Sequence, residues 1–254
     1  MSSRAVVILC VIGVIVLSGV VFVIFFGVQT VAVVFLKKQA VTMPEMSLVP
    51  AQLNVVSPTG MPGRRFSYFG YEFELPWLEV EEEVSESSVR ILSASGKFVL
   101  FYDPTQQFDL LEETVMPNPG ARDEFVAQFG SMGYEFYKRV FNATPDQLSI
   151  FMSRRECVEV TMRLAMKSMV ILTSDSGSGL YAFEHGELRG FQLGDPAAGG
   201  MVIVHIFDAS DQHLEFSFAA SQDDINRLID TLKPAERSYE LQVSPEVPVS
   251  SDVK

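Results

Sequence analysis

Residues 5–36 run for thirty-two positions without a formal charge, and only Ser18, Gln29 and Thr30 among them are clearly polar. A helix needs about twenty apolar residues to cross the hydrocarbon of a bilayer, and thirty-two would give about 48 Å at 1.5 Å per residue. The run exceeds one span and must tilt or project. A cleaved signal peptide would carry about 7–15 apolar residues and a small-x-small site behind them. This run is longer and stops at Lys37-Lys38. We therefore expect residues 1–38 to be a transmembrane anchor that meets the lipid bilayer through residues 5–36. Lipid attachment at Cys10 is not expected, because bulky Leu9 stands where a small residue is needed.

Arg4 and the α-amino group on one side nearly balance Lys37 and Lys38 on the other. A short, positively charged N-terminus is hard to translocate. The expected arrangement is a single-pass membrane protein with its soluble domain extracytoplasmic, although a lone thiol at Cys157 argues for the opposite side.

The whole chain carries −13, and because Arg4 precedes the apolar run, everything after it carries −14. Such a domain repels phosphate backbones and anionic headgroups, so nucleic acid is excluded as a partner and the domain is expected to stand off the bilayer. The two cysteines, Cys10 and Cys157, fall in different regions, so neither a disulfide framework nor a paired-thiol metal site can be built.

Residues 39–65 contain Pro44, Pro50, Pro58, Pro62, Gly60 and Gly63 and read as a Pro/Gly linker. Residues 66–76 alternate around Gly70 as one strand, 79–86 form an acidic run, and 89–92 with 98–102 read as a hairpin about Ser95-Gly96. Phe125, Phe129, Met132, Phe136 and Val140 recur at helical spacing. Thr144 with Gln147 and Ser153 with Glu156 have capping-box spacing, and the second starts a helix through Cys157, Thr161, Leu164 and Ser168.

Beyond Met169 the period changes to two: 170–172, 180–183, 188–193, 201–207 and 214–218 read as strands of an antiparallel meander. Ser221 with Asp224 caps a last helix, and 235–254 reads as a disordered tail. The expected fold class is α+β: an N-terminal transmembrane helix, then one domain at 66–234 with an antiparallel sheet covered by helices. The strand Gly70-Tyr71-Glu72-Phe73 with Pro76-Trp77, together with the closing strand and helix over 214–232, resembles PsbP-like extrinsic domains. That resemblance implies an assembly or stabilising factor of a membrane complex.

Catalytic signatures are missing from the chain. Residues 173–179, TSDSGSG, contain Asp-Ser-Gly but lack the strand–elbow–helix context of a serine nucleophile, and no Gly-Lys-Ser/Thr makes a phosphate loop. Asp208, Ser210 and Gln212 alternate like calcium ligands without the sixth-position glycine or the distal glutamate. Met162, Met166 and Met169 share a helical face, which suits core packing better than copper(I). Asn142-Ala143-Thr144 matches a glycosylation sequon that chance often supplies. His185 falls in a turn. No two histidines have the four-residue helical spacing of a zinc protease. His205 and His213 can face one another across the hairpin at 208–211, where a metal pair is conceivable but the expectation is a cross-strand or surface pair. No catalytic, cofactor-binding or metal-ligating residues, and no cofactor, are expected.

The function expected from these features is a membrane-tethered, non-catalytic accessory or assembly subunit that binds other proteins. The alternative is an enzyme or a small-ligand or metal-binding domain with an unrecognised site. If residues 5–36 hold the chain in the bilayer, full-length protein stays in the pellet when membranes are washed with alkaline carbonate. Its release into the wash would remove the anchor.

Overall fold

The computed structural model describes residues 30, 33–35, 37–38, 44–56, 63–85, 88–104, 133–172 and 179–235. The strands are β1 (Ala51–Gln52), β2 (Arg64–Tyr68), β3 (Tyr71–Leu75), β4 (Glu81–Ser85), β5 (Val89–Ala94), β6 (Lys97–Tyr102), β7 (Leu180–His185), β8 (Leu188–Leu193), β9 (Val202–Phe207), β10 (His213–Ala219) and β11 (Lys233–Pro234). The α-helices are α1 (Tyr134–Phe141), α2 (Arg154–Leu172) and α3 (Gln222–Thr231).

This architecture overturns the expected fold class. The described chain is mostly sheet, with eleven strands in two sheets. No helix among the described residues is long and apolar enough to cross a membrane. Most of residues 5–36, like the stretch carrying Phe125, Phe129 and Met132, the tail 236–254 and residues 173–178, lies outside the described residues.

The extra strands come from segments whose local pattern suggested something else. Within the expected linker, β1 pairs parallel with β7 through Ala51↔Tyr181 and Gln52↔Ala182. The acidic run becomes edge strand β4 on β5, where exposed Glu81, Glu82 and Glu83 oppose edge-to-edge association. Residues 66–76, expected as one strand, are instead the hairpin β2–β3. Phe69 (φ 51°) and Gly70 (φ 82°) both take the positive φ of a two-residue primed turn. In the other direction, residues 170–172 continue α2 rather than forming a strand. That helix starts from the expected cap, in which the Ser153 amide donates to Glu156 at 2.8 Å and the Glu156 amide to Ser153 at 3.2 Å. Thr144 caps nothing with its side chain and opens only a single 3-10 turn.

The large sheet runs β1-β7-β8-β9-β10-β6-β5-β4, and the small one β11-β3-β2. Side chains alternate between sheet faces. From β9 and β10, Val202, Val204, Ile206, Leu214, Phe216 and Phe218 enter one core with Phe73, Leu75 and Trp77 of the small-sheet segment and Ile225, Leu228 and Ile229 of α3. Ile203 and Phe207 face the opposite way, into a second core with Tyr134, Phe136, Val140 and Phe141 of α1 and Met166 of α2. The centre of the sheet is therefore buried on both sides.

Asp224 fastens α3 to this frame. Its carboxylate accepts from Trp77 Nε1 at 2.9 Å, Lys97 Nζ at 2.8 Å, Ser221 Oγ at 2.6 Å and the Ser221 amide at 2.9 Å. Burial alone would raise this carboxyl, but the donors from Lys97, Ser221 and Trp77 outweigh it and hold the group below its ordinary 3.8. A depressed folded-state value contributes stability that is present at neutral pH and lost as pH falls through that value. We expect Asp224→Asn to cost about 1–3 kcal/mol at neutral pH. In denaturant titrations the variant should lose less stability than the wild type between about pH 4 and pH 2. Equal acid sensitivity would show that Asp224 is not the group responsible.

Candidate functional site

Strands β9 and β10 are joined by a tight turn that Asp208 organises. Its Oδ1 accepts from the Ser210 amide at 2.8 Å, Ser210 Oγ at 2.7 Å and the Gln212 amide at 2.9 Å, while Tyr71 donates its hydroxyl to Oδ2 at 2.8 Å. Burial pushes this carboxyl up, and the bonds from Ser210, Tyr71 and Gln212 overcome that and keep it lowered. The oxygens that looked like calcium ligands are engaged by the turn itself.

The turn sets a register in which Glu215 is directly opposite His205 and His213 is opposite Phe207. All three polar residues therefore share the sheet face beneath α1. His205 Nδ1 and His213 Nε2 are 3.0 Å apart, and Glu215 Oε2 is 3.6 Å from His205 Nδ1. One donor atom from each of the three residues lies within 4.8 Å of the other two. Both histidines are 4% exposed.

Aromatic rings close the site. Tyr137 from α1 lies over both imidazoles, 5.2 Å from His205 and 5.0 Å from His213, and Phe207 stacks on His213 at 4.9 Å. Helix α1 is held there by Asp211, which accepts from the Tyr134 amide at 3.0 Å and from Arg189 at 3.2 Å. The Arg189 guanidinium also covers the Tyr134 ring at 4.5 Å. Behind His205, Gly190 permits close strand contact: a Cβ there would lie 2.2 Å from the His205 carbonyl oxygen and 2.6 Å from Phe183.

The electrostatics follow from burial. Desolvation takes His205 down to about 3. Burial, then the neighbouring His205, holds His213 well below its usual 6.5. Burial also lifts Glu215 to about 7, and burial with the Glu215 charge raises the Tyr137 phenol. At neutral pH the imidazoles are uncharged and each keeps a lone pair. His205 Nε2 is buried without a hydrogen-bond partner among the described residues. Glu215 accepts no hydrogen bond and pairs with no Lys or Arg among the described residues. The arrangement can share one proton between two nitrogens, or place two nitrogens and a carboxylate around a cation.

The structure thus brings His205 and His213 together as the hairpin register allows, and adds Glu215, which sequence reading missed. The available signal was position: Glu215 is two residues from His213 and on the same face. His185 is elsewhere, 2.9 Å from Asp230. Met162 and Met166 pack in the second core, and Cys157 is a buried thiol in a third. The chain matches no protein-family model, no curated protein and no solved structure.

Because the imidazoles are neutral, only steric cover protects them from acylation. Treating native protein with diethyl pyrocarbonate should modify His185 and spare His205 and His213, as read by peptide mass spectrometry. Tyr137→Ala should expose both. Rapid modification of all three in the wild type would contradict the closed site.

Proposed function

We propose that this chain is a membrane-tethered, non-catalytic accessory subunit, held in the bilayer by residues 5–36 with its soluble domain extracytoplasmic, and that it binds another protein at the membrane. The observation that carries the reading is the fate of the end of the apolar run. Val33 is 3% exposed and packs with Met46, Leu148, Cys157, Val160 and Leu164. The end of the apolar run is thus packed into the domain's own core, which supports a domain carried close to the membrane rather than on a long free spacer. Lys167 of α2 reinforces this by donating to the carbonyls of Leu48 and Ala143. Burial draws its amine down to about 8.

The same end of the domain carries apolar surface that the domain itself does not use. Phe151 is 87% exposed, and Ile150 and Val158 are also exposed. A shallow groove beside them is lined by Phe151, Met152 and Val160 together with Glu156, Glu159 and Arg163. Apolar anchors among charged groups suit a protein partner. The resemblance of residues 70–77 and 214–232 to PsbP-like domains would imply an assembly or stabilising role.

A photo-reactive residue at position 151, in full-length protein in native membranes, should give one dominant adduct with a second membrane or membrane-associated protein. The same protein should co-purify after detergent solubilisation. Adducts to lipid alone, or no adduct with no co-purifying protein, would defeat this reading.

A further inference from the structure

We propose that His205, His213 and Glu215 form a binding site for one divalent transition-metal ion, with zinc the ion that best suits the donor set. The three residues offer two neutral imidazole nitrogens and one carboxylate, the nitrogen–oxygen combination that zinc accepts. Expectation from spacing alone was metal-free, because the ligands do not sit four apart on a helix. The β9–β10 register supplies the proximity instead, by placing Glu215 opposite His205 and His213 one step along the same face.

The distances suit one ion. With metal–ligand bonds of about 2.0–2.2 Å, donors in a tetrahedral shell lie about 3.3 Å apart. The nitrogens are 3.0 Å apart and the carboxylate oxygen is 3.6 Å from His205 Nδ1, so each gap changes by only a few tenths of an ångström. The widest gap in the trio is within 4.8 Å and closes by rotation of Glu215, whose carboxylate accepts no hydrogen bond among the described residues.

Chemistry favours the same assignment. Burying Glu215 beside two imidazoles costs free energy, and no Lys or Arg pairs with it among the described residues. One cation can take a ligand atom from each of the three residues, which lie within 4.8 Å of one another. Three protein ligands leave one coordination position for water or another small donor, under the Tyr137 ring. His205 Nε2 would carry the ring proton with no acceptor among the described residues, so affinity falls short of sites with a complete outer shell. Because Tyr137 and α1 cover the cluster, ion exchange is slow.

The test uses full-length protein in detergent, stripped with chelator and incubated overnight with zinc chloride, then with cobalt chloride as a spectroscopic probe. We expect one ion per chain, a rise of several degrees in melting temperature with zinc, and visible cobalt absorption of nitrogen–oxygen ligation. Glu215→Gln, which keeps the shape of the side chain, should weaken binding at least about tenfold, by analogy with the losses seen even for outer-shell changes. His205→Gln with His213→Gln should abolish binding, and His185→Gln should leave it unchanged. If the double histidine variant does not fold, the Glu215→Gln affinity decides the matter. No bound ion at about 100 µM zinc, far above any useful dissociation constant, would overturn the site, as would unchanged affinity in Glu215→Gln.

Discussion

The centre of the large sheet is buried on both faces, and most of the structure follows from that constraint. Strand β9 reads Val-Ile-Val-His-Ile-Phe, with all six residues buried. One face needs α3 and the small sheet as cover, and the other needs α1 and α2. A side chain the size of Phe or Ile contributes about 1.5–3 kcal/mol when buried, and an unsatisfied buried polar group costs about 1–3 kcal/mol. A core with this many aromatic rings can therefore tolerate one poorly satisfied polar cluster, but few more.

The other polar groups inside the domain show what satisfaction looks like. Asp224 is surrounded by donors and ties Trp77 and Lys97 to the start of α3. Asp208 does the same for the β9–β10 turn and for Tyr71. Lys167 pairs with no carboxylate among the described residues but donates hydrogen bonds to two backbone carbonyls. Each of these groups explains a piece of the fold. The cluster of His205, His213 and Glu215 differs in one respect: its imidazoles pack beneath Tyr137 of α1, but its carboxylate accepts no hydrogen bond among the described residues.

The sheet edges have a different logic. At one edge β4 exposes three glutamates, which makes pairing with another chain unfavourable. At the other, short β1 from the linker covers β7. The exposed apolar residues lie elsewhere, near the start of α2.

Local pattern alone was enough to read several elements. The antiparallel succession of β7 to β10, the Ser153–Glu156 and Ser221–Asp224 caps, and the chance for His205 to meet His213 were all legible. Those signals are carried by neighbours a few residues apart, through side-chain alternation, cap geometry and turn composition. Tertiary structure decided the rest. The primed turn at Phe69-Gly70 split one expected strand into two. Pairing partners far along the chain turned the acidic run and part of the linker into strands, and helical hydrogen bonds carried 170–172 on from α2. Whether a short apolar or acidic segment becomes strand depends on a free sheet edge to receive it, which no local window contains. Glu215 belongs to the site for the same reason. Its partner His205 is set by hairpin register, and its burial by a helix from a distant part of the sequence.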